Sequence, residues 1–205
     1  MLVQINDMGE IAMKLNIMKL MIAATNGNTD AISLLIKQGV DVSIEDDNGR
    51  TALHWAARYG HTDAIALLVE KGADVMALTN NGRTALHCAV QFGQADAITL
   101  LIEKGADVKA TDNNGWTALH LAATHGNTCA ITHLVESGAD VGSVDKNGWT
   151  AIYLADTLGH ESAAIILRSY IGKNTPLGTF TKKLNEGRNT TLCSTEKATI
   201  NRHHH

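Results

Sequence analysis

Aromatic residues make up only 4% of the 205-residue chain. That scarcity argues against an aromatic-rich β-sandwich; the abundant Ala, Leu and Ile favour close helix packing. Proline occurs once, at Pro176, so little interrupts helices in the first 175 residues. The three cysteines, Cys88, Cys129 and Cys193, lack CxxC spacing. Neither a zinc knuckle nor a disulfide framework is indicated, and a reducing, cytoplasmic setting is expected. No run of eighteen apolar residues is present, so no membrane span is expected. Met1 to Gly9 has no basic residue and no long apolar core, so no secretory signal is expected.

The formal charge is −4 and unevenly spread. Residues 1–172 carry 11 basic and 19 acidic side chains, whereas residues 173–205 carry 6 and 2. An acidic body repels a phosphate backbone, so nucleic acid is a disfavoured partner. Phosphate loops, HExxH, GxSxG and a supported Cys/His dyad are absent. The chain therefore reads as no enzyme, with no cofactor, no metal and no small-molecule substrate.

What the sequence does contain is repetition. Gly49, Gly82, Gly115 and Gly148 are spaced by 33 residues. Two further series, Gly27-60-93-126-159 and Gly39-72-105-138, keep the same step. Thr-Ala-Leu-His recurs at 51–54, 84–87 and 117–120, with Thr150-Ala151-Ile152-Tyr153 as a degenerate copy. Within one unit, Thr51 is placed to cap a helix running to Tyr59, and Gly60 to end it in a left-handed turn. Thr62 to Lys71, with Ile65, Leu67, Leu68 and Val69, reads as a second helix ended by Gly72. Asn80-Asn81-Gly82 suits a hairpin tip. Such a unit buries its apolar faces only by stacking on its neighbours.

This pattern, Thr-x-Leu-His with two helices, Gly-Ala-Asp-Val and a hairpin, resembles the ankyrin repeat. The resemblance implies an all-α repeat solenoid, an ankyrin array of paired antiparallel helices linked by β-hairpin loops. Its divisions are a 1–15 N-terminal extension and a 16–172 ankyrin repeat domain. That domain comprises an N-cap at 16–48, repeats at 49–81, 82–114 and 115–147, and a C-cap at 148–172. A basic, flexible tail is expected at 173–205, ending in His203–His205, which reads as a purification-tag remnant. Ala52, Ala85, Ala118 and Ala151 stand where the family usually has proline; alanine still suits a first helical turn. Ser43, Met76, Lys109 and Gly142 stand where many members carry an asparagine that can be a target of hydroxylation, so that modification is not expected.

His54, His87 and His120 invite a metal reading, but stacked repeats hold equivalent atoms too far apart for shared ligation. Bonding to the capping threonine or neighbouring backbone is the favoured role. Trp55, Cys88, Leu121 and Leu154 are expected in the core, and Cys129 part-exposed.

The positions that vary while the frame stays fixed are the candidates for function. Tyr59, Phe92, His125 and Leu158 precede the helix-ending glycine, with Arg58 and Gln91 beside the first two. Arg50, Arg83, Trp116 and Trp149 follow the hairpin glycine. In the resembled family these places line a concave groove where protein partners bind. Consecutive Tyr59, Phe92 and His125 are expected to form a semi-continuous aromatic stripe. The alternative for Trp116 and Trp149 is a scaffold role across the adjacent hairpin. The resemblance implies a monomeric, non-catalytic protein–protein interaction scaffold. The competing reading is a targeting module of a larger protein, or a secreted effector of an intracellular bacterium acting in host cytosol.

Overall fold

The computed structural model describes residues 2–171, with side chains from residue 12 onward. The expectations for the 173–205 tail lie outside the described residues. Among the described residues ten helices follow one another: α1 (Leu2–Thr25), α2 (Thr29–Lys37), α3 (Ala52–Tyr59), α4 (Thr62–Glu70), α5 (Ala85–Gln91), α6 (Ala95–Glu103), α7 (Ala118–Thr124), α8 (Thr128–Glu136), α9 (Ala151–Thr157) and α10 (Glu161–Ile171). Consecutive helices pair, and the pairs stack. The inner row α1, α3, α5, α7, α9 packs neighbour on neighbour, and the outer row α2, α4, α6, α8, α10 does the same. The chain is therefore an all-helical solenoid, and α1 runs without a break through residues 2–15.

Alanine makes the inner row possible. Ala52, Ala56 and Ala57 on α3, and Ala85 and Ala89 on α5, are fully buried or nearly so. Small side chains let short helices approach, while Leu53, Leu86 and Leu119 fill the layer between them. Outer helices contribute Ile65, Ile98 and Ile131 with Leu68, Leu101 and Leu134, all buried at equivalent places. Each unit thus completes the core of the next.

The Thr-x-Leu-His motif is a capping device with a long reach. At α5, the Thr84 backbone N–H donates to His87 Nδ1 at 3.3 Å, and Thr84 Oγ1 lies 2.9 Å from the same nitrogen. The other ring nitrogen, Nε2, lies 3.1 Å from the Trp116 carbonyl oxygen in the next repeat. A backbone amide can only donate and a carbonyl can only accept. Nδ1 is therefore bare and Nε2 carries the proton. His54 repeats this toward the Arg83 carbonyl and His120 toward the Trp149 carbonyl. The histidines bind threonine and backbone, as the sequence favoured.

Hairpin loops project from between the pairs. Each closes with one antiparallel hydrogen bond: Asp46 N to Arg50 O, Thr79 N to Arg83 O, Asp112 N to Trp116 O, and Asp145 N to Trp149 O. Adjacent tips are stitched together, Asn80 N to Asn48 O and Asn113 N to Asn81 O. Gly82 shows why these tips need glycine. Its φ is +74°, and a Cβ there would stand 2.9 Å from the backbone nitrogen of Asn113. Gly60 ends α3 in the left-handed conformation, as read from the sequence.

Candidate functional site

A pocket of about 250 Å³ opens where the hairpins meet the inner helices, between the second and third helix pairs. Arg50 and Arg83, from the ends of two successive hairpins, line one side. Arg58 from α3, with Gln91 and Phe92 from the end of α5, lines the other. Five sequence candidates thus converge on one place.

Their arrangement follows from one irregularity in the repeat. The hairpin position that receives the amide of the fifth residue holds Asp46, Asp112 and Asp145, but Thr79 in the second copy. Arg83 reaches forward and bonds through Nε to Asp112 of the next hairpin at 3.2 Å. Trp116 reaches forward equally, its indole N–H donating to Asp145 at 3.0 Å. Arg50 finds Thr79 ahead of it instead of a carboxylate. It folds back on its own Asp46, at 3.0 Å through Nε. Trp55 donates to the same Asp46 oxygen at 3.2 Å. Burial pushes the Asp46 carboxyl up, but the amides of Arg50 and Asn48 and the Arg50 guanidinium outweigh it, and the group settles below its ordinary range.

Arg58 is held differently. Its guanidinium carbon lies 4.1 Å from the Phe92 ring centroid, 5.6 Å from that of Trp55 and 5.7 Å from that of Tyr59. Arg50 covers the Trp55 ring at 4.3 Å. Trp55 and Tyr59 stack with centroids 6.3 Å apart. Cationic planes and aromatic faces therefore alternate, an arrangement favoured by the ring quadrupole.

This corrects two expectations. The semi-continuous aromatic stripe does not form among the described residues. Arg58 lies between Tyr59 and Phe92, because neighbouring repeats leave a gap that a long side chain fills. Trp55 and Cys88 meet the core expectation only in part: Trp55 packs against the core with one side and faces the pocket with the other. Both are half-buried and line the pocket, whereas Leu121 and Leu154 at equivalent places are buried. An indole is too large to tuck beneath the inner row, and the short Cys88 side chain leaves open volume. Burial pushes the Cys88 thiol up to about 11, against the pull of Arg83, Arg58 and Arg50. The thiol stays protonated and is a poor nucleophile. Cys129 is half-buried, as the sequence suggested.

The other candidates lie apart from the pocket. Tyr59 is exposed and flanks it through Arg58. Trp116 is half-buried across the next hairpin, which favours its scaffold alternative. His125 is exposed, its Nδ1 2.8 Å from the Leu121 carbonyl oxygen. Trp149 is exposed and stands 5.6 Å from Tyr153, since no further hairpin follows it among the described residues. Leu158 is exposed at the end of α9. Sequence reasoning missed Trp55 as a lining residue. Its spacing, three and four residues before Arg58 and Tyr59, was the available signal.

A family model for ankyrin repeats (3 copies) matches residues 20–112 and 104–176. An ankyrin repeat protein of Rickettsia prowazekii (strain Madrid E) is 50% identical over 38 residues, which are 18% of this chain and 36% of that protein. The match spans about a third of that relative's length. Among the described residues, no helix is long and apolar enough to cross a membrane.

Proposed function

The chain belongs to the ankyrin repeat family, whose members generally serve as protein–protein interaction modules and are generally non-catalytic; from that premise we propose that it holds a partner protein in the groove between hairpins and inner helices. The observation that carries this reading is a division of labour within each repeat. Residues common to the copies, such as the Thr, Leu and His of the capping motif, are buried. Residues that differ between copies, including Arg50, Arg58, Gln91 and Phe92, converge on an open pocket. A rigid stack presents them already ordered, so binding costs little conformational entropy.

In this reading a groove of four or five repeats buries a standard-sized protein interface. Arg and aromatic side chains are the types that anchor such interfaces. The test is a triple substitution, Arg58→Ala with Tyr59→Ala and Phe92→Ala, followed by affinity capture with quantitative mass spectrometry. A partner held by the wild type should be lost from a variant that still melts cooperatively. Equal capture by both would move the binding face elsewhere.

A further inference from the structure

The pocket has an excess of positive charge at one point. Arg50 and Arg83 are each bonded to a carboxylate, Asp46 and Asp112. Arg58 makes no ion pair among the described residues. Its contacts are the faces of Phe92, Trp55 and Tyr59, which leave its in-plane N–H donors for other partners. Among the described residues, no carboxylate lines the pocket itself. Three guanidiniums against two bound carboxylates leave one positive charge, facing open volume.

We propose that this pocket is a carboxylate subsite, in which Arg58, flanked by Arg50 and Arg83, receives one Asp or Glu side chain of a partner's extended segment. The inference rests on the groove being the partner-binding face, and it names what that face recognises. A single carboxylate matches the single uncompensated charge; a phosphate dianion exceeds it. Planar guanidinium and planar carboxylate pair through two parallel hydrogen bonds, which fixes orientation as well as charge. Asn48 and Asn81 border the same pocket, and their side-chain amides make no hydrogen bond among the described residues. Such amides suit the N–H and C=O groups of an extended peptide.

The basic point occurs once along the stack. Places equivalent to Arg58 hold Gln91, Thr124 and Thr157, and the Arg50 and Arg83 series continues as Trp116 and Trp149. Residues 1–172 are acidic in sum, so this is a positive island on a negative body. An acidic residue in the partner is repelled elsewhere and held here. The subsite therefore sets the register of the segment along the groove, not merely its affinity.

The experiment selects peptides from a random library on the intact protein, then measures the strongest by fluorescence polarisation. Each Asp or Glu in the peptide is changed to its amide, and the protein is changed by Arg58→Gln, Arg58→Lys and Phe92→Ala. We expect the selected peptides to be enriched in acidic residues. One acid-to-amide change, or Arg58→Gln, should weaken binding roughly ten- to hundredfold. The two together should weaken it no further, since they remove the same contact. Arg58→Lys keeps the charge and should fall between; it also carries the cycle if the Gln variant melts early. Peptides sensitive to Phe92→Ala but indifferent to Arg58 and to their own acids would overturn the subsite and leave the groove reading intact. Peptides indifferent to every variant, or a library yielding none, would overturn both. Displacement by inorganic phosphate but not by acetate at equal ionic strength would give the pocket to phosphate groups instead.

Discussion

His87 Nε2 lies 3.1 Å from the carbonyl oxygen of Trp116, 29 residues further along the chain. That oxygen also accepts the hydrogen bond of Asp112 N that closes the hairpin. One imidazole therefore links the start of its own helix to the root of the next hairpin. His87→Ala should strip a partner from the Thr84 amide and from this carbonyl, and cost about 2–4 kcal/mol. Chemical denaturation checks it. A loss below about 0.5 kcal/mol would show that water replaces the ring.

The same geometry fixes the response to acid. Burial lowers the pKa of His54, His87 and His120 from the ordinary value of 6.5, outweighing the carbonyl hydrogen bonds that raise it. In the unfolded chain these rings take protons below about pH 6.5. The folded protein resists, because a protonated Nδ1 would face the threonine amide, itself a donor. The unfolded state then binds more protons, so stability is full above that pH and falls as pH drops toward the folded pKa values. The thermal midpoint should decline from pH 7 to pH 5. The His87→Ala variant should decline less steeply, and parallel curves would contradict the assignment.

Trp116 and Trp149 occupy equivalent places but should not respond alike. The Trp116 indole donates to Asp145, whereas that of Trp149 has no hydrogen-bond partner among the described residues. Trp116→Phe should cost about 1 kcal/mol, and Trp149→Phe close to nothing. Equal losses by urea denaturation would mean that ring packing, not the hydrogen bond, decides both.

Gly82 tests the hairpin stitching. Gly82→Ala meets a φ of +74° and the Asn113 backbone together, so relaxing one does not relieve the other. A loss of at least about 1–2 kcal/mol is expected from the left-handed conformation alone. Gly72, with φ +94° but nothing within 4 Å of its Cβ, should suffer only the conformational part. Thermal melts of Gly82→Ala and Gly72→Ala should therefore separate, with Gly82→Ala lower.

Much of this was legible before any coordinates. The glycine series gave the repeat step, and Gly60 marked a left-handed helix end because no other residue adopts that conformation cheaply. Thr51 and His54, three residues apart at a helix start, already implied mutual capping. Side-chain destinations were not legible in the same way. Arg50 and Arg83 are the same residue at the same repeat position, yet one folds back and the other reaches forward. The difference lies in Thr79 replacing an aspartate in the neighbouring hairpin. Trp55, inside the first helix of its unit beside small alanines, reads as core, but volume decides how far each member of that series is covered. Periodicity identifies equivalent positions; the neighbouring repeat decides what each side chain does there.

In the proposed function, partners sit in the groove beside Arg58 and Phe92. A photo-crosslinking amino acid placed at Phe92, and separately at exposed Thr99 on the outer helix α6, tests this most directly. The account requires that a bound protein be captured from position 92 and not from position 99. Capture from position 99 alone would contradict it.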